Sequence, residues 1–118
     1  MDPTATPSPL EVADRQLTAY NDHDIDAFCD LFAPDAVLYD LLSGEVVASG
    51  IDEIRARYAE RFAISDLRCE VHGSIYLGDV AIDRETVYGL PGGPVEMIAI
   101  YEVVDGLIRT VRFVRQPA

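Results

Sequence analysis

Positive charge is scarce in this chain. Nine Lys plus Arg stand against 21 Asp plus Glu, a net charge of -12 over 118 residues. A surface this acidic repels phosphate backbones and anionic headgroups, which argues against nucleic-acid and membrane partners. Long apolar runs are also missing, and no stretch approaches the length of a membrane span. Cysteine is sparse: Cys29 and Cys69 lie 40 residues apart with no CxxC, the pattern of two buried, reduced thiols. The two histidines, His23 and His72, are 49 residues apart and form no paired-ligand motif, so no metal site is expected. A Gly-rich phosphate loop, a nucleophile elbow and an internal repeat are likewise absent from the sequence. Residues 1–9 carry an acid, three prolines and no basic cluster, unlike a secretory leader, which leads us to expect a cytoplasmic protein.

What is present fits one domain with one core. The chain is 49% apolar and 25% charged. Residues 1–9 read as a flexible lead, and residues 10–118 as the domain. A helix is expected from about Leu10 to Tyr20, where Ala13, Leu17 and Tyr20 share a face. Asn21-Asp22-His23-Asp24 breaks it, and Asp24 caps a second helix with the apolar stripe Ala27, Phe28, Leu31 and Phe32, ended by Pro34. A strand then runs to Leu42, and Ser43-Gly44 turns the chain into a short strand from Glu45 to Ala48. Ser49-Gly50 opens a third helix with Ile51, Ile54, Tyr58 and Phe62 inward. The second half is β: a strand from Leu67 to Leu77 with period-2 alternation, then Val80 to Tyr88, Val95 to Val104 and Leu107 to Arg115. Asp105-Gly106 signals a two-residue hairpin with a primed turn. Three helices followed by an antiparallel meander make an α+β fold, and a curved sheet around helices tends to leave a concavity that suits a small ligand.

One acid stands out. In the strand before Ser43, Asp40 points the same way as Leu38 and Leu42, while Val37, Tyr39 and Leu41 fill the other face. A carboxylate there finds a partner, keeps its proton or lines a cavity, or else it reaches water at the strand end.

The run Ala19-Tyr20-Asn21-Asp22-His23-Asp24-Ile25-Asp26-Ala27-Phe28, then Leu31-Phe32-Ala33-Pro34-Asp35-Ala36, then Ser49-Gly50-Ile51 opening a helix with Tyr58, resembles the ketosteroid isomerase-like branch of the nuclear transport factor 2-like superfamily. It is also similar to the SnoaL-like, polyketide-cyclase-like proteins of that group, over about Leu10 to Gln116. The resemblance implies a cone-shaped barrel of a curved, mostly antiparallel sheet around three N-terminal helices. It further implies an apolar cavity, a homodimer through the outer face of the sheet, and isomerase-type chemistry with no cofactor. Asp40 matches the proton-shuttling Asp, with a raised pKa as the expectation. Such a base works in an apolar site beside an oxyanion hole, an arrangement for which ketosteroid isomerases are themselves the standard illustration. Gln16 and Ala99 stand where the two oxyanion donors would be, which argues against steroid isomerisation itself, and Tyr58 matches the supporting tyrosine.

The expected catalytic group is thus Asp40, Tyr58 and Gln16. The expected ligand-lining group is Tyr20, Phe32, Phe62, Arg84, Met97, Ala99, Tyr101, Val111 and Phe113. Arg84 either enters the cavity to meet Asp40 or a ligand carboxylate, or sits on the rim beside Asp83 and Glu85. Arg109, Arg112 and Arg115 are expected to balance Asp83, Glu85, Glu96 and Glu102 on the sheet or across a dimer. The partner read from this pattern is a small apolar or amphipathic molecule, either turned over as by an isomerase, cyclase or hydrolase, or bound without turnover.

Overall fold

The structure, a computed structural model, describes residues 6–117. Its elements are α1 (Pro9–Asn21), α2 (Ile25–Cys29), β1 (Phe32–Asp40), β2 (Val46–Ser49), α3 (Ile51–Phe62), β3 (Arg68–Leu77), β4 (Val80–Tyr88), β5 (Val95–Val104) and β6 (Leu107–Pro117). Most of the expected lead, residues 1–5, lies outside the described residues. Its last part is structured: Ser8 caps α1, accepting from the Glu11 N–H at 3.2 Å, and Pro9 takes the first helical position, where its missing N–H costs nothing.

Asp24 caps α2 as expected, accepting from the Ala27 N–H at 3.1 Å. That helix is shorter than its apolar stripe suggests. It ends at Cys29, and Pro34 does not terminate it but lies within β1. Phe28 and Phe32 still meet, their ring centroids 5.1 Å apart, because helix and strand present them to one core from either side of the junction.

One six-stranded sheet runs in the order β2-β1-β6-β5-β4-β3 and ends on two edges, so it is an open sheet rather than a closed barrel. Strands β3 to β6 form the antiparallel meander, β2 is antiparallel to β1, and β1 pairs parallel with β6. Asp105 and Gly106 both have positive φ, 54° and 77°, the primed turn that matches strand twist. Helices α1 and α3 pack on one face of the sheet. The core between them includes Val12, Phe28, Leu38, Ile54, Val87, Ile108 and Val111.

The alternation of β3 is interrupted. Val71 pairs with Glu85 and Gly73 with Arg84, leaving His72 as an extra residue, a β-bulge. Beyond it the facing inverts: Ser74 and Tyr76 share the inner face with their partners Asp83 and Ala81, while Ile75 and Leu77 turn outward. Among the described residues no helix is long and apolar enough to cross a membrane.

Candidate functional site

The cone between helices and sheet encloses two small chambers. The inner one is lined by Gln16, Leu17, Tyr20, Phe28, Phe32, Tyr58, Arg61, Cys69, Glu85, Val87, Met97, Tyr101, Val111 and Phe113, and holds about 20 Å³ of free volume. The outer one, at the mouth, also holds about 20 Å³ and is lined by Asp40, Val47, Arg57, Tyr58, Arg61, Met97, Phe113 and Arg115. Each has room for roughly one water. Tyr58, Arg61, Met97 and Phe113 border both chambers and form the wall between them.

Strand β4 supplies two acids to the interior. Its inward set is Ala81, Asp83, Glu85 and Val87, opposite Tyr101, Ala99, Met97 and Val95 of β5. Asp83 is 3% exposed and Glu85 is 6% exposed. Burial is the main force on the Glu85 carboxyl and raises it to about 7; the Cys69 thiol, donating to Oε2 at 3.3 Å, opposes this and nearby Asp83 adds to it. Burial likewise raises Asp83, against a 2.6 Å hydrogen bond from the Ser74 hydroxyl. The Cys69 thiol is itself pushed far up by burial and by Glu85, so it stays protonated and able to donate. Both cysteines are free and buried, as expected.

Three phenols converge on the inner chamber. Tyr101 donates to Gln16 Oε1 at 3.3 Å. Gln16 therefore acts through its oxygen here, as an acceptor. Tyr58 is raised by burial, with Arg61 and Arg57 opposing. The Tyr20 hydroxyl is buried with no hydrogen-bond partner, and burial drives its pKa far up despite Arg61. Orphaned buried donors of this kind are uncommon in native proteins.

Helix α1 is held so that Gln16 and Tyr20 reach this chamber. At its end Asn21 clamps the backbone of β3, donating to Cys69 O at 2.9 Å and accepting from Cys69 N–H at 2.7 Å. His23, with φ 54°, donates through Nε2 to Leu67 O at 2.7 Å and stacks on Phe62.

The SnoaL-like domain family matches residues 13–111. The chain belongs to this family. A putative polyketide cyclase from Sinorhizobium meliloti is 30% identical with a TM-score of 0.74, over 87% of this chain and 93% of that one. An uncharacterised cystatin-fold protein from Novosphingobium aromaticivorans is 26% identical with a TM-score of 0.83, over 92% and 99% of the two chains. A protein of ketosteroid isomerase-like fold from Catenulispora acidiphila, in complex with trimethylamine, is 19% identical with a TM-score of 0.73, over 93% and 86%, and shows the likeness of fold alone. No curated protein matches.

Against the SnoaL-like expectations, eight of the predicted residues line the inner chamber: Gln16, Tyr20, Phe32, Tyr58, Met97, Tyr101, Val111 and Phe113. Phe62 packs behind it, edge-on to Tyr20 at 5.4 Å, and Ala99 is fully buried on the inner face. Arg84 is a correction: it lies on the outer face, ion-paired with Glu96, because its neighbours Asp83 and Glu85 take the inner positions. His72 is on the outer face too, its Nε2 2.7 Å from Thr86 Oγ1, which donates to Glu96 Oε1 at 2.7 Å. The arginines of β6 do not balance Asp83 and Glu85. Arg112 lies over the Tyr39 ring, and Arg115 borders the mouth.

Asp40 borders the outer chamber at the mouth. Its Oδ1 accepts from the N–H groups of Ser43 at 2.9 Å and Leu42 at 3.0 Å. Those bonds, Ser43 foremost, hold its pKa below the usual value, the reverse of the expectation. A carboxylate that closes its own turn is stabilised as the anion.

Proposed function

We propose that this SnoaL-like protein takes a small apolar or amphipathic molecule into the cone and moves a proton on it without a cofactor, as an isomerase or cyclase does. Glu85 is the proton carrier and Tyr20 the donor to the developing oxyanion. The observation that carries this reading is a carboxyl near pKa 7, buried in an aromatic chamber that also holds an unpartnered phenol. Ionised Glu85 removes a proton from a carbon next to a carbonyl, the carbonyl oxygen takes up the negative charge, and the Tyr20 O–H donates to it. Protonated Glu85 then returns the proton to another carbon. A base matched to neutral pH and a donor already free of other partners are what this step needs. Asp40 is a poorer carrier, because its turn bonds favour the anion and lower its basicity. A ligand larger than water must displace the shared wall, where Met97 is flexible and Arg61 and Phe113 are half-buried.

The test is isomerisation of 3-cyclohexen-1-one, a β,γ-unsaturated ketone, followed by absorbance and by deuterium uptake in D₂O. Glu85→Gln is expected to abolish turnover, Tyr20→Phe to lower it about 10²–10³-fold, and Asp40→Asn to leave most of it. Loss in Asp40→Asn with retention in Glu85→Gln would return the base to Asp40.

Ala99 supports a second reading. It is apolar and fully buried where the resemblance places a protonated acid, so one oxyanion donor is missing. On that reading the cone binds without turnover. Saturable binding of the enone with no deuterium uptake would select it.

A further inference from the structure

The mouth of the cone has a charge opposite to the rest of the molecule. All nine cationic side chains of the chain other than histidine are arginines, in a protein of net charge -12. Three of them, Arg57, Arg61 and Arg115, border the single outer chamber. Arg57 and Arg61 lie four residues apart on α3, one turn of one face, and flank the inward Tyr58. Arg115 comes from β6, on the inner side with Val111 and Phe113, opposite Met97.

None of the three has an acidic partner within ion-pair distance among the described residues, whereas Arg55, Arg68 and Arg84 each have one. The Arg57 Nε–H is buried without any hydrogen-bond partner. Arg61 lies over the Tyr58 ring, 5.7 Å from its centroid, and so rests on the wall between the chambers. Burial and the two neighbouring guanidiniums disfavour the charge on Arg57. The chamber's one acid, Asp40, already spends an oxygen on the turn at Leu42 and Ser43. Three guanidiniums and one carboxylate leave the chamber at a net charge of +2. Like charges gathered with a buried, unsatisfied donor are unfavourable when empty and favourable around an anion.

We propose that the mouth is a carboxylate-binding subsite, and that the molecule taken by the cone is an amphipathic monocarboxylic acid. Its carboxylate meets Arg57, Arg61 and Arg115, and its apolar body passes the Arg61–Met97 wall into the aromatic inner chamber. This rests on the reading that the cone holds a small molecule, and it names the class of that molecule. The guanidinium fork suits a planar carboxylate. Asp40 in the same chamber disfavours a dianion such as phosphate more than it disfavours a monoanion.

Calorimetry on the full chain with 4-phenylbutyrate and its neutral amide separates the claims. The acid is expected to bind about tenfold or more tightly than the amide, the gain of a charge-assisted contact. Arg57→Gln and Arg61→Gln should erase that preference while the amide still binds. Arg115→Gln, at an exposed position that folding tolerates, should reduce it, and Arg109→Gln should leave it unchanged. Arg57→Lys, which keeps the charge and loses the fork, should recover it only in part. Equal binding of acid and amide overturns the carboxylate subsite and leaves the cavity reading standing. Binding of acetate or inorganic phosphate as tight as that of 4-phenylbutyrate also overturns it, since the apolar body would then contribute nothing. If neither acid nor amide binds, the cavity reading fails and takes this inference with it.

Discussion

Two acids of the cone, Glu85 inside it and Asp40 at its mouth, respond to pH in opposite senses. Glu85 is raised from 4.5 to about 7, so the folded state holds its proton after the unfolded chain has lost it. Its contribution to stability is full below the unfolded pKa and is lost as pH rises from about 4.5 through 7, a span of about 3 kcal/mol. Glu85→Gln should remove that decline, and chemical denaturation of both proteins between pH 4 and 8 measures it; parallel curves would mean that Glu85 is solvated. Asp40 is lowered, so its contribution is present above the unfolded carboxylate pKa and disappears as pH falls. Glu85 is within reach of the sequence. Alternation along β5 puts Met97, Ala99 and Tyr101 on the inward face, and residues directly opposite in an antiparallel pair share a face. Their partners are Glu85, Asp83 and Ala81, so the same step places Arg84 outside. Asp40 is legible as an inward residue, but its turn bonds depend on the path of Leu42 and Ser43, which alternation does not encode.

At the scale of elements, the boundaries that carry their own chemistry are readable. Ser8 and Asp24 are caps, Asp105-Gly106 is a primed turn, and Ile54, Tyr58 and Phe62 form one helix face. The end of α2 and the bulge at His72 are not, because each is decided by pairing with a strand distant in sequence. Gly89, where β4 ends, is another contact of that kind. It has φ 92°, and a Cβ there would come within 2.5 Å of Asp66 O. Gly89→Ala is expected to cost about 2 kcal/mol or more, since the clash is with backbone and the φ is strained. Asp24→Ala should cost about 1 kcal/mol through loss of the cap. Thermal denaturation of the two variants tests the ranking, and an unchanged Gly89→Ala would mean that the loop relaxes freely.

Across the whole molecule, the outer face of the sheet is one surface that leaves apolar side chains exposed among the described residues. Ile75, Leu77 and Ile98 on it are 67%, 85% and 38% exposed, beside the His72–Thr86–Glu96 chain of hydrogen bonds. The family resemblance leads us to expect a second copy on this face. Sedimentation velocity at micromolar concentration should give a dimer, and Ile98→Asp should shift it to monomer; a monomeric parent would leave the patch without that role. The fold class is legible because periodicity and turn signals report elements, and the family through the resemblance carried by the runs Ala19 to Phe28 and Leu31 to Ala36. The openness of the sheet is not, because edges follow from which strands meet.

The parallel pairing of β1 with β6 has a consequence for how the chain reaches its native state. Strand β6 is last in sequence yet lies inside the sheet, between β1 and β5. Until it docks, β1 with β2 and β3 with β4 and β5 are separate half-sheets, and the wall that includes Val111 and Phe113 does not exist. Such pairing across a long intervening stretch raises contact order and slows folding. Assembly of the binding chamber is therefore tied to the final pairing event, so a chain interrupted at Gly106 would lack its site even where its helices and hairpins had formed.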